Sequence, residues 1–147
     1  MSNIEIRSVT EQDFRPLSVL YQQLIPNEVS LPKMKEVFDR NRDNLNHIVL
    51  AAKIDGKLVG SLLAIICEML FGQCKSFMVV EDVIVDESVR GKGVGKALMR
   101  HVEQQAKMKN CSYIMLITDS DRVSSQNFYK SLGYKTDEYR AFKKHLD

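Results

Sequence analysis

Three glycines at alternate positions, Gly91, Gly93 and Gly95, lie between basic residues in the stretch Arg90-Gly91-Lys92-Gly93-Val94-Gly95-Lys96. Glycine has no Cβ, so such a stretch lets the backbone come close to a ligand. Where it opens a helix, the unpaired N–H groups of the first turn attract anions. The chemistry offered is the binding of a phosphate group. Two familiar phosphate patterns fail on spacing. G-x-G-x-x-G would need glycine where Lys96 stands, and G-x-x-x-x-G-K-[ST] fails because Ala97 follows Lys96 and position 90 is Arg90. Dinucleotides and ATP are thereby disfavoured, and the plain alternative is a turn that only joins a strand to a helix.

Proton transfer has its own candidates. Glu81 precedes the apolar run Val83-Ile84-Val85, and strand alternation places it in a row with Val79 and Val83 unless a bulge intervenes. A lone carboxylate in such a row suits a general base, against the plainer reading of a structural carboxylate paired with an arginine. Asp82 points to the opposite face of a regular strand and is the reserve base. Tyr129 carries a phenol that can donate a proton, although a core tyrosine is the bland alternative. His47, His101 and His145 show no H-x-H or H-E-x-x-H spacing, so no metal is expected. Ser124, Ser125 and Asp119 lack the G-x-S-x-G context of a hydrolase.

These groups need elements to aim them. Ile4, Ile6 and Ser8 alternate with Glu5, Arg7 and Val9 as in a first strand. Thr10-x-x-Asp13 predicts a capping-box-like start for a helix bearing Phe14, Leu17, Tyr21 and Leu24, ended by Pro26. Pro32 suits the first turn of a second helix, predicted to stop near Asp43. Residues 47–54 and 57–69 read as a hairpin about Asp55-Gly56, residues 71–75 as a turn, and residues 76–86 as a long strand. The strand's centre is apolar on both faces, so helices must cover the sheet. Val94, Leu98, Val102 and Ala106 predict a helix to about Lys109, followed by a strand over 113–118. A helix over 124–132 is to be capped by Ser124 or Ser125 and closed by Gly133, and a last strand or hairpin is expected over 134–145. The expected fold is α/β: one domain over residues 1–147, with a mixed sheet of six or seven strands flanked by about four helices.

Between a buried strand and an amphipathic helix, Arg90-x-x-Gly93-x-Gly95 fits R-x-x-G-x-G, and here the chain resembles the GNAT superfamily of acyl-CoA-dependent N-acyltransferases. A second signature, Phe128-Tyr129 followed by Gly133-Tyr134, is similar to the F-Y-x-x-x-G-[FY] ending common in those enzymes. The element order agrees over nearly the whole chain. The resemblance implies acetyl-CoA as cosubstrate and direct attack by a primary amine of a small molecule. It implies that the amides of Arg90, Gly91, Lys92, Gly93, Val94, Gly95 and Lys96 bind the CoA pyrophosphate. The backbone of Val83, Ile84 and Val85 then pairs with the pantetheine arm, and Ser125 or Asn127 touches CoA. Glu81 becomes the base that takes the amine proton, and Tyr129 the acid that protonates the leaving thiolate. Arg122 departs from the pattern, since relatives often carry asparagine seven residues before the tyrosine.

Glucosamine-phosphate acetyltransferases share the Glu81-Asp82 pair and the Phe128-Tyr129 step, while Arg42-Asp43 and residues 120–133 look similar to aminoalkylphosphonate N-acetyltransferases. A small anionic amine is therefore the first expectation for the acceptor, with Arg40 and Arg42 as candidates for holding its acidic group. Residues 25–31, residues 71–75 and the last strands are expected to wall it. A protein or peptide amine acetyltransferase is the alternative. So is a non-catalytic acyl-CoA-binding module, which would not need Glu81 or Tyr129.

Composition narrows the partners. With 147 residues, a formal charge of +2 and no tryptophan, the chain lacks the basic surface or aromatic platform expected for nucleic acid, and the charge is too small for an anionic membrane. The longest apolar run, residues 62–67, is too short to cross a bilayer. Nothing in the first residues reads as a signal peptide, so the cytoplasm is the expected location. Cys67, Cys74 and Cys111 form no C-x-x-C pair. Edge strands leave room for a homodimer.

Overall fold

The computed structural model of the chain describes residues 3–26 and 29–147. By its contacts the chain divides into two compact units, Met1–Met115 and Leu116–Asp147. In order along the chain come β1 (Ile4–Ser8), α1 (Phe14–Leu24), α2 (Leu31–Arg40), β2 (His47–Ile54), β3 (Lys57–Cys67), β4 (Ser76–Val85), α3 (Val94–Met108), β5 (Cys111–Leu116) and α4 (Val123–Ser131). The strands form one five-stranded sheet in the order β1-β2-β3-β4-β5. The first four pair antiparallel, and β5, reached through the α3 crossover, makes the sheet mixed.

Local chemistry explains most boundaries. Asp13 closes a capping box by accepting the Thr10 N–H at 2.8 Å, which sets the start of α1. Ser30 caps α2 by accepting from the Lys33 N–H at 3.3 Å, with Pro32 in the first turn where its missing N–H costs nothing. That helix ends at Arg40, earlier than expected, and Asn41 caps it by donating both its N–H, at 3.1 Å, and its side chain, at 2.9 Å, to the Val37 carbonyl. Asn110 takes a φ of 58° after α3, which ends the helix abruptly and lets β5 begin two residues before the expected position.

Two layers cover the sheet within the first unit. Leu17 and Leu20 of α1 join Val9, Ala51, Leu58 and Ile84 in one core cluster, with Phe14, Tyr21, Leu24 and Met34 packed against it. On the opposite face α3 buries Val94, Leu98, Met99, Val102 and Ala106, a stripe at the helical repeat that the sequence predicts. Gly60 of β3 lies directly beneath it. A Cβ there would stand 2.9 Å from Val94 Cγ1 and 3.2 Å from Leu98 Cδ1, so only glycine lets the helix start settle this close to the sheet.

The strand count corrects the expectation of six or seven. Residues 134–147 form no strand; the Tyr139 N–H turns back toward the Thr136 carbonyl at 3.5 Å, and Lys135 pairs with Glu138 at 3.3 Å. Charged residues break the alternation there, leaving no apolar face for a sheet to cover.

Candidate active site

The strand that carries Glu81 is irregular just after it. In the β3–β4 register Leu63 faces Glu81 and Ser61 faces Ile84, so β4 holds one extra residue between those pairs. Asp82 supplies it, with a φ of 55°. This left-handed conformation is one a β-bulge needs and an L-residue adopts at a cost. Because Ser61 and Leu63 share a face of β3, Glu81 shares its face with Ile84, which belongs to the α1 cluster. The row Val79, Glu81, Val83 is therefore broken at the bulge. Both Glu81 and Asp82 are exposed, so the enclosure implied by simple alternation is absent and both carboxylates are open to a substrate.

Past β4 the chain makes a 3-10 turn, Glu87–Val89, capped by Asp86, whose Oδ1 accepts the Ser88 N–H at 2.9 Å. That bond and the Ser88 hydroxyl hold the Asp86 carboxyl below its ordinary range. Next come the glycines. Gly91 and Gly93 have φ of 79° and 88°, Gly93 is the N-cap of α3, and a Cβ on either would meet nothing within 4 Å. Backbone conformation, not crowding, is what calls for glycine at these two positions. The first intrahelical bond is the Ala97 N–H to the Gly93 carbonyl at 3.0 Å, so the amides of Val94, Gly95 and Lys96 precede the helical ladder. Arg90, Lys92 and Lys96 are exposed beside them. Val94, expected at the ligand, buries its side chain in the core and leaves only its amide for an anion. Ile84 is likewise buried, whereas Val83 and Val85 are half-exposed.

The end of α1 reaches the same stretch of chain. Gln23 Oε1 accepts the Glu87 N–H at 3.1 Å, a contact between residues 64 apart that no local pattern announces. Tyr21 packs on the core cluster containing Ile84. Burial raises its phenol above the ordinary value, and the Asp82 charge adds to the rise. Farther off, Arg42 is engaged with Asp39 at 2.7 Å and Glu11 at 3.2 Å, and lies 5.6 Å from the Phe38 ring centroid. To hold an acceptor's anion it would first have to release two carboxylates. Arg40 is exposed at the end of α2. Of the segments expected to wall the acceptor, residues 71–75 form a turn with exposed Phe71, and residues 27 and 28 lie outside the described residues.

In the second unit α4 carries the other signature. Its N-cap is Arg122, with no side-chain cap bond, so neither Ser124 nor Ser125 caps the helix. At the far end the Gly133 N–H donates to Lys130 O at 3.0 Å and the Tyr134 N–H to Tyr129 O at 3.1 Å, a Schellman closure with Gly133 at a φ of 94°. This turn is the physical content of F-Y-x-x-x-G-Y. It brings the Tyr134 ring to 6.1 Å from that of Tyr129, which meets Phe128 at 5.1 Å on its other side. Tyr129 is 9% exposed, and burial pushes its phenol up to about 12 against the lowering influence of Arg122. Such a phenol holds its proton at neutral pH. Ser125 is half-exposed and Asn127 exposed on the same helix. Among the described residues no three His, Cys, Asp or Glu side chains gather as metal ligands, and no helix is long and apolar enough to cross a membrane.

A mixed sheet with an interrupted fourth strand and a glycine-capped helix after it defines a class. The Acetyltransferase (GNAT) family model matches residues 12–134, and the chain belongs to that family. The likeness read from the two motifs is thus borne out. Over 138 residues the chain is 28% identical to a glucosamine 6-phosphate N-acetyltransferase of Trypanosoma brucei brucei, covering 92% of each chain. Over 140 residues it is 24% identical to an aminoalkylphosphonate N-acetyltransferase of Salmonella typhimurium, covering 95% of this chain and 90% of that one. The crystal structure of a Trypanosoma brucei acetyltransferase superposes with a TM-score of 0.84 at 25% identity, over 98% of this chain and 100% of its own.

Proposed function

We propose that this chain transfers the acetyl group of acetyl-CoA to the primary amine of a small molecule. The observation that carries this reading is the start of α3, where Gly93 caps the helix in the left-handed region and the amides of Val94, Gly95 and Lys96 precede the helical ladder. A pyrophosphate fits that cradle: it needs several N–H donors and a close backbone approach, and the helix dipole favours its charge. The loop from Arg90 through Lys96 holds the pyrophosphate, with Lys92 and Lys96 adding charge. The backbone of Val83, Ile84 and Val85 pairs with the pantetheine, and Ser125 or Asn127 adds a contact from α4. We read the two units as one acetyltransferase domain, because the family match runs through both of them.

Glu81 takes the proton that the acceptor's uncharged amine loses as it attacks, directly or through water. The amine nitrogen then forms the new C–N bond at the thioester carbonyl as the C–S bond breaks. The phenol of Tyr129, kept protonated by burial, gives its proton to the leaving thiolate, and Asp82 is the reserve base. For the acceptor we favour a small amine bearing an acidic group, because two full-length relatives are named for a sugar phosphate and for aminoalkylphosphonates.

Acetyl-CoA turnover with a panel of amines, read by release of free CoA thiol, tests this. The panel holds glucosamine 6-phosphate, an aminoalkylphosphonate, polyamines and amino-terminal peptides. Release with small anionic amines is the expected result, release with peptides alone favours the protein acetyltransferase, and CoA binding without release favours a non-catalytic module. In a second test, Gly93→Ala must hold an L-residue at a φ that costs about 1–2 kcal/mol. It is expected to weaken CoA binding about tenfold by calorimetry while the protein remains folded.

A further inference from the structure

We propose that Gln23 is a positioning residue that ties the last turn of α1 to the beginning of the cofactor loop, so that CoA bound at the loop is felt on the acceptor side of α1. The inference rests on the reading of residues 90–96 as the pyrophosphate site. Gln23 Oε1 accepts the N–H of Glu87 at 3.1 Å, and Glu87 opens the turn that runs into Arg90 and Gly91. On its other side the same turn is fixed to the sheet, where the Asp86 N–H donates to Val59 O at 2.8 Å. The approach to the loop is therefore held between β3 and α1.

A second side chain of that helical turn packs on residues 83–85 themselves, through the cluster that contains Ile84. Tyr21 packs against the cluster that contains Ile84, and its phenol feels the carboxylate of Asp82 at the bulge. Tyr21 and Gln23 thus hold the segment assigned to the pantetheine arm, one by packing on the cluster that contains Ile84 and one at the turn after it. Stability does not account for the Gln23 contact. Gln23 and Glu87 are both exposed, so water would satisfy the same N–H at little net cost. What water cannot supply is a fixed distance between α1 and the loop. The chain leaves α1 at Ile25, and the following residues are those expected to face the acceptor.

Hydrogen exchange with CoA as the only added ligand tests the link without requiring the acceptor. In the wild-type protein, saturating CoA is expected to slow exchange both at residues 87–96 and at residues 21–26. Gln23→Met keeps the side-chain length and removes the acceptor oxygen. In that variant protection at 87–96 should persist while protection at 21–26 is lost, and Gln23→Glu, which keeps an acceptor oxygen, should restore it. Equal protection of residues 21–26 in wild type and Gln23→Met overturns the proposal. If CoA protects nothing at 87–96 in the wild type, the pyrophosphate reading falls and the link falls with it.

Discussion

Asp13 and Glu81 carry the same functional group in opposite settings. Asp13 is 1% exposed and fully partnered, with Lys53 Nζ at 2.8 Å, Arg7 at 3.6 Å and the Thr10 N–H at 2.8 Å. Burial pushes its carboxyl upward, but Lys53, the Thr10 bond and Arg7 together hold it below the ordinary value. Glu81 stands exposed beside a bulge whose backbone is strained at Asp82. An enclosed carboxylate held by two cations and a backbone N–H is a structural part. An exposed one on a distorted strand, in the chain ahead of the proposed cofactor loop, is the one proposed for proton transfer.

Removing charge at each place tests that contrast. The largest effect is expected for Glu81→Gln, with turnover falling roughly 10²-fold to 10⁴-fold as for loss of a general base, while CoA affinity and melting temperature stay near wild type. Unchanged turnover and an unchanged acidic limb of the rate profile would move the role to Asp82 or to the free amine itself. Asp13→Ala should do the reverse. It leaves the half-buried Lys53 without its carboxylate and should cost about 3 kcal/mol of stability by denaturant titration, with turnover per folded molecule kept.

Acidity separates the two further. Since the folded Asp13 carboxyl lies below its unfolded value, its stabilisation is complete above about pH 4 and is lost as pH falls through the folded value. A melting-temperature series on the acid side should show this loss in the wild type and a flatter limb in Asp13→Asn; equal limbs would remove Asp13 from the acid response. The smallest effect is expected for Asp82→Gly. Relief of about 1–2 kcal/mol of left-handed strain is partly offset by about 0.5–1 kcal/mol of added chain entropy, so the melting temperature should rise slightly. A loss of turnover as large as that of Glu81→Gln would exchange the two residues' roles.

Sequence periodicity revealed what repeats and missed what depends on a partner elsewhere. The α3 stripe, the Asp55-Gly56 hairpin and the Schellman turn at Gly133 were legible because each is written in adjacent residues. The bulge was not, because Val-Val-Glu-Asp-Val-Ile-Val contains no glycine to mark it, and counting straight through Asp82 put Val83 in the row of Val79 and Glu81 where Ile84 belongs. Asp13 was legible as a cap but not as a buried ion pair, since Lys53 comes from a different strand. Arg42 looked available because Glu11 and Asp39 meet it only after α1 and α2 have packed. The tail after Tyr134 contains strand-forming residues, yet its charges leave no face to bury.

The space beneath Val94 belongs to Gly60, and it makes the anion cradle a passenger on the core. Every amide in the first turn of α3 inherits its position from how deeply that turn sits on β3, and one added methyl 2.9 Å from Val94 Cγ1 would lift the whole turn. Substitutions among the loop's exposed lysines would alter local charge while leaving the cradle's shape intact. A substitution at residue 60 would press from below on the Val94 side chain and, at 3.2 Å, on the Ile84 carbonyl, which makes that buried position the natural handle for retuning cofactor fit by design.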